Sequence, residues 1–154
     1  GRGTGSGVYM RNAKVELFDV ALKGCDSCAL NIAGSTSETT VVATRCEFTN
    51  CDSGAVVYGS LTSATFKNCV FNDNKYDGIL GFRNNTIHVH GEGTAIHSNG
   101  RHGISVWNSS KVTIHLPSNH NTFYNNGGQD RYTANGATIT NVRRTRRSRR
   151  LKHT

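Results

Sequence analysis

The residues best suited to acid–base chemistry recur at the interval of a long repeat. Asp52 and Asp77 precede short apolar segments, and Arg101 with His102, which follows Asp77 by 25 residues, precedes the next one. A carboxylate and an imidazole held together could act as general acid and base, with Arg101 neutralising a uronate carboxylate. Inverting glycoside hydrolysis needs two carboxylates flanking one bond, and Asp52 with Asp77 is the plausible pair. The alternative is that these are turn residues bonded to their own backbone.

A second set of residues, large and mostly aromatic, recurs at the same interval. Successive members are separated by 24 to 26 residues, and the set is Ile32, Tyr58, Phe82, Trp107 and Tyr132. Because strand side chains alternate between faces, this row is predicted to point outward, beside an inward row. An outward apolar row needs a cover, which favours a protein interface or a platform for sugar rings. Two alternatives are that residues 34–40 fold over the row, or that the row faces inward.

Short strands must position these residues, because no segment carries an apolar stripe at helical spacing. Apolar segments begin near residues 7, 28, 54, 78 and 103, and a second and a third apolar segment follow each of them, more weakly in the later repeats. Three strands per repeat, separated by Gly and Asn turns, predict an all-β parallel solenoid of about six coils. The solenoid is expected over residues 7–142, with residues 1–6 as a linker or cut end and residues 143–154 as a polybasic C-terminal tail.

The turn sequences resemble those of a known family. The Gly-Ile and Gly-Val turns and the Asn-rich stretches at 72–74 and 124–126 resemble the right-handed parallel β-helix repeat family, the pectate-lyase-like superfamily. The resemblance implies a right-handed β-helix, in a family of polysaccharide lyases, hydrolases, epimerases, tailspikes and non-enzymatic modules. The stretch Arg-His-Gly-Ile-Ser at 101–105 is similar to Gly-His-Gly-Ile-Ser of polygalacturonases, which makes His102 the counterpart of that histidine. The aspartate pair of those enzymes is absent, since the matching positions read Asp26-Ser27 and Asp52-Ser53.

Histidine and cysteine offer two further kinds of site. His90 and His115 align as outward neighbours with Lys67 in the same row, and two imidazoles could bind a metal. No third ligand is in register and a lysine disfavours a cation, so neither a metal site nor a cofactor is predicted. Cys25 is predicted to stack on Cys51, and Cys46 on Cys69, as buried thiols that fill the core. A disulfide between adjacent coils is the alternative.

Almost all of the net charge lies at the C-terminal end. The chain carries a formal charge of +8, and seven positive charges, with no acid, follow residue 142, which leaves residues 1–142 at +1. These charges predict a polyanion-binding segment, made of Arg143, Arg144, Arg146, Arg147, Arg149, Arg150 and Lys152. A localisation signal, a protease site and a contact to an acidic protein are alternatives. No long apolar run or signal peptide is present, so membrane insertion is not predicted, and the compartment stays open.

Three functions are consistent with these features. The first is a non-catalytic structural or binding module of a larger assembly, such as a virion or cell-surface component, with protein neighbours or further copies of the chain as partners. It would dock through the aromatic row while the tail grips an acidic partner. The second is a carbohydrate-active enzyme acting on uronate glycans. The third is a nucleic-acid-associated protein whose affinity resides in the tail.

Overall fold

The computed structural model describes residues 5–118 and 122–143, which form 17 strands in three parallel sheets. Sheet A contains β1 (Val8–Met10), β4 (Leu30–Ile32), β7 (Ala55–Tyr58), β10 (Ile79–Phe82), β13 (Ile104–Trp107) and β16 (Arg131–Ala134). Sheet B contains β2 (Lys14–Phe18), β5 (Thr39–Thr44), β8 (Thr62–Lys67), β11 (Thr86–His90), β14 (Lys111–His115) and β17 (Thr138–Val142). Sheet C contains β3 (Ala21–Lys23), β6 (Glu47–Thr49), β9 (Val70–Asn72), β12 (Ala95–His97) and β15 (Phe123–Tyr124).

The chain visits sheets A, B and C in turn, so each coil stacks on the one before it. This confirms the predicted all-β solenoid with three strands per coil. The predicted number of about six coils was slightly too high. Sheet C has five strands where sheets A and B have six, which gives five complete coils and a sixth with two strands within the described residues. Those residues include no helix that could cross a membrane.

Left-handed backbone conformations turn the chain between sheets B and C at the same place in successive coils. Asp19, Arg45 and Asn68 have φ angles of 54°, 52° and 52°, and Gly93 takes the fourth position at 74°. Asn, Asp and Gly tolerate this region at low steric cost, which accounts for their abundance in the turns. Arg45 is the exception, and its guanidinium Nε donates to the Asp19 carboxylate of the preceding coil at 2.7 Å.

The core lies between the three sheets and consists of inward side chains stacked coil upon coil. Phe48 and Phe71 of sheet C stack with ring centroids 4.8 Å apart, and Phe66 of sheet B meets Phe71 edge-on at 4.9 Å. All three side chains are completely buried. Period-2 alternation in short strands is therefore sufficient to fill a narrow core, since each strand contributes two or three inward residues.

Arg131 closes the core at the sixth coil. It pairs with Ile104 in an inward row of sheet A, where every earlier member is apolar. Its guanidinium lies 5.2 Å from the Phe123 ring centroid in sheet C, and its Nη1 donates to Asn141 Oδ1 in sheet B at 2.9 Å. One side chain thus joins all three sheets and presents its polar end where the apolar stack stops.

The register of sheet A corrects two members of the predicted aromatic row. Ile32 pairs with Val57, not with Tyr58, and is completely buried. Trp107 pairs with Ala134, so Tyr132 belongs to the neighbouring outward row, opposite Ser105. The sixth coil is 27 residues longer in register than the fifth, not the assumed 25, and a one-residue slip reverses the face of every side chain. The inward row likewise contains Leu30 where Ala29 was expected.

A row of buried asparagines runs beside the core, at the turn between sheets C and A. Asn74 Nδ2 donates to Asn99 Oδ1 at 2.9 Å, and Asn99 Nδ2 donates to Asn126 Oδ1 at 3.0 Å. Each asparagine also donates to a backbone carbonyl of the preceding coil, Phe48 for Asn74 and Phe71 for Asn99. Cys51 continues the row, since its backbone N–H donates to Asn74 Oδ1. The amides therefore satisfy turn backbone that the sheets leave unpaired.

We expect Asn99→Ala to lower the free energy of unfolding by about 3 kcal/mol, because it leaves several buried donors and acceptors without partners. Urea denaturation followed by circular dichroism would measure the change. Asn31→Ala is the matched control, because Asn31 is an outward residue of β4 with no side-chain hydrogen bond to a described residue. Equal losses in the two variants would contradict a role for the asparagine row.

Candidate functional site

The outward face of sheet A is free of charge across its two rows. One row contains Tyr9, Asn31, Val56, Leu80, Ser105 and Tyr132, and the other contains Tyr58, Phe82, Trp107 and Ala134. Charged residues dominate most protein surfaces, so a sheet face of this composition is unusual. Tyr9 is 61% exposed, whereas the rings of the second row are half-buried.

The aromatic rings on this face pack mainly against one another. Tyr58 and Phe82 stack with centroids 5.6 Å apart and 13° between planes, and Trp107 meets Tyr132 at 5.4 Å and 46°. The Trp107 indole N–H is satisfied by Ser105 Oγ at 2.8 Å. Because side chains in one row stack along the solenoid axis, the rings present their edges outward, and the faces that a sugar would use are largely occupied.

The segment after β4 partly covers one end of the face. A Cβ atom on Gly34 would lie only 3.0 Å from Tyr58 Cδ1, so the backbone of that loop packs directly on the tyrosine ring. The guanidinium of Arg83 lies 5.6 Å from the same ring centroid. The alternative in which residues 34–40 fold over the row therefore holds for Tyr58. The glycine at position 34 is the sequence signal for this close approach.

Three of the four predicted catalytic residues meet at the turn that precedes sheet A. Asp77 Oδ1 accepts the backbone N–H of His102 at 3.1 Å and lies 3.6 Å from Arg101 Nε. Burial raises the pKa of the Asp77 carboxyl, while the His102 N–H and the nearby Arg101 and His102 charges lower it. Asp77 thus bonds the backbone of the next coil, as a turn residue does.

The His102 imidazole is turned away from Asp77. Its Nδ1 accepts the backbone N–H of Gln129 at 2.9 Å, and its ring stacks on Tyr132 with centroids 4.5 Å apart. An Nδ1 that accepts a hydrogen bond carries no proton, so this geometry selects the Nε2–H tautomer of the neutral ring. The imidazole is therefore an extension of the aromatic face of sheet A.

Asp52 lies in a different row of the same turn. Backbone hydrogen bonds place Ser27, Asp52, Tyr76 and Arg101 in register, with Cys28, Ser53, Asp77 and His102 in the row beside them. The predicted alignment of Asp26 with Asp52 and of Ser27 with Ser53 was wrong by one residue. Asp52 is partly exposed while Asp77 is buried, so the two carboxylates are not presented together toward one bond.

The described cysteines are all free thiols, which excludes the predicted alternative of a disulfide in this structure. Cys25 stacks on Cys51, whose Sγ accepts the Cys25 backbone N–H at 3.1 Å. Burial raises the pKa of the Cys51 and Cys69 thiols to about 11. Such thiols are protonated near neutral pH and are poor nucleophiles, so their role here is to fill space.

The remaining predicted sites are placed only in part. Among the described residues no three His, Cys, Asp or Glu side chains are grouped to hold a metal ion. Arg143 lines a cleft beside β14 and β17. The other residues of the predicted polyanion segment, Arg144, Arg146, Arg147, Arg149, Arg150 and Lys152, lie outside the described residues.

Comparison with known proteins agrees with this architecture. A family model described as a right-handed β-helix region matches residues 6–146. The chain belongs to the right-handed β-helix family. No curated protein and no solved structure matches this β-helix significantly. Membership establishes the fold, and function must be inferred from the faces of the solenoid.

Asp77→Asn tests the electrostatic character of the turn. The substitution keeps an acceptor for the His102 N–H and removes a carboxyl whose pKa is raised by burial. Because the unfolded chain then releases its proton more readily, the wild-type carboxyl destabilises the fold increasingly as pH rises above about 4. We expect the stability of Asp77→Asn relative to wild type to be greater at about pH 7 than at about pH 3 in urea denaturation.

The exposed Asp26→Asn serves as the control and should show no comparable difference between the two pH values. A relative stability of Asp77→Asn that falls with rising pH would show instead that the ionised carboxylate is held favourably by Arg101.

Proposed function

We propose that this β-helix is a non-catalytic structural module that assembles through the outward face of sheet A, packed against the same face of a second copy. The observation that carries the proposal is the uncharged face itself, with Val56, Leu80, Phe82 and Trp107 at its centre. A two-fold interface brings each patch against its own copy, so a charged patch would repel itself, whereas this one would not.

The ring arrangement supports a protein occupant over a glycan. Sugar rings bind aromatic side chains through ring faces, and here Tyr58 and Phe82, and His102 and Tyr132, use those faces on each other. Ring edges and aliphatic side chains on a nearly flat sheet suit the packing of a second sheet, in which facing side chains interdigitate.

The turn chemistry also favours a structural role. Asp77 and His102 are engaged with backbone groups of adjacent coils, and Asp52 points elsewhere. The polybasic segment adds a second element to the proposal. Its seven charges would grip an acidic surface of a neighbour in the assembly, such as a virion or cell-surface structure, while the nearly neutral solenoid stacks through sheet A.

Sedimentation velocity of the full chain should show a monomer–dimer equilibrium, with Phe82→Glu weakening the dimer by at least about tenfold because it places like charges across the two-fold interface. Trp107, the single tryptophan of the chain, should show a blue-shifted fluorescence spectrum as the dimer forms. Thr113→Glu, an outward residue of sheet B, is the matched control and should leave the equilibrium unchanged.

A wild-type chain that remains monomeric at about 500 μM would overturn the proposed self-association. If Trp107 fluorescence of that monomer then responded to added oligosaccharides, the face would belong to a carbohydrate instead.

Catalysis is tested separately. We expect no cleavage or epimerisation when uronate polymers are incubated with the protein, because the turn offers one buried carboxyl and an imidazole directed away from it. Product analysis by chromatography would detect turnover. Activity that is lost in His102→Ala but retained in His97→Ala would overturn the non-catalytic proposal and assign the turn to an enzyme.

A further inference from the structure

The outward face of sheet B differs in chemistry from that of sheet A. In its third outward row, Lys67, His90 and His115 occupy register positions in three successive coils, β8, β11 and β14. Their inward neighbours Phe66, Val89 and Ile114 are completely buried, so alternation directs the three polar side chains outward. Parallel pairing thus gathers three nitrogen-bearing side chains from residues 23 and 25 positions apart.

The imidazoles in this row are in direct contact. The His90 and His115 rings stack with centroids 4.5 Å apart and 11° between planes. His88, from the adjacent row, places its Nδ1 3.0 Å from His115 Nε2. One of the two nitrogens in that contact must lack a proton in order to accept, so His88 and His115 share a hydrogen bond as long as one of them is neutral.

The cluster disfavours its own positive charge. Burial, followed by His115, Lys67 and His88, lowers the pKa of His90, and burial with His115 lowers the pKa of His88. Lys67 forms no ion pair with another described residue. An anion placed here would reverse the balance, because it would pair with Lys67 and favour protonated imidazoles.

Two adjoining clefts give an anion room to bind. One, of about 230 Å³, lies between His90, His115, Pro117 and Arg143, and the other, of about 360 Å³, lies beside Lys67 and Asn68. Glu92 borders both clefts and is the single carboxylate among their lining residues. Two permanent cations and two stacked imidazoles therefore face one exposed carboxylate, which disfavours a metal cation and favours an oxyanion.

We propose that Lys67, His90 and His115 form a binding site for an oxyanion of the phosphate or sulfate class. Arg143 adds a second permanent charge at one end of the site. Binding strengthens as pH falls, since protonation of His90 and His115 converts neutral neighbours into charged donors. This site lies on a different sheet from the proposed assembly face and does not depend on it.

Inorganic sulfate is the first probe, because its charge stays constant over the range in which histidine titrates. Histidine ring resonances of the full chain would be followed by NMR from about pH 5 to pH 8, with sodium sulfate and with sodium chloride at equal ionic strength. We expect sulfate to raise the pKa values of His90 and His115. His97, which stacks on Tyr124 in sheet C, is the internal control and should not respond beyond the chloride reference.

Lys67→Met should weaken sulfate binding by about threefold to fivefold, as expected for the loss of one exposed charge. Lys111→Met removes an equally exposed lysine from the opposite end of β14 and should leave sulfate binding unchanged. Methyl phosphate compared with inorganic phosphate then separates the sources of the anion. Equal binding indicates an ester group carried by a larger molecule, and binding of inorganic phosphate alone indicates the free ion.

The wild-type titration is decisive whatever the variants do. If sulfate leaves the pKa values of His90 and His115 unmoved, or shifts His97 by the same amount, the site does not exist as proposed. Equal losses of sulfate binding in Lys67→Met and Lys111→Met would likewise reduce the effect to general surface charge.

Discussion

Each coil is held to the next by parallel backbone hydrogen bonds, as in the donation from Ala55 to Gly78 and from Ile79 to Gly103. This pairing fixes the register, and the register decides which side chain of each strand is buried and which side chain of the next coil it touches. The phenylalanine stack, the asparagine row and the outward aromatic face are all consequences of it. No tertiary feature of the described solenoid can change without moving the register of a sheet.

Register also gives the three faces different chemistry, although their strands are built alike. Sheet A presents apolar and aromatic side chains without charge, whereas sheet B presents threonines, histidines and lysines. The end of the core is treated differently again, since Arg131 turns a row of apolar residues into a polar closure. A solenoid can therefore separate an assembly surface from an ion-binding surface on one small scaffold, because its faces vary independently of its core.

Much of the fold was predictable, because the pattern of small, apolar and Asn-rich segments repeats with little interruption between residues 7 and 142. The stacking of Lys67, His90 and His115 and of Cys25 and Cys51 was also predictable, since those coils have regular lengths. Ile32 and Tyr132 were placed in the wrong row because coil length changes near them. A period counted along the chain does not reveal where an extra residue is absorbed in a turn.

The sequence by itself determined the parallel β-helix, the three strands per coil and the concentration of charge after residue 142, since these depend on periodicity and composition. Tertiary structure alone decided how the side chains are used. It turned His102 away from Asp77 and onto Tyr132, closed the core with Arg131, and packed Gly34 on Tyr58. The physical reason is that these contacts join different coils, or different sheets across the core, and their geometry depends on turn lengths that no local pattern encodes.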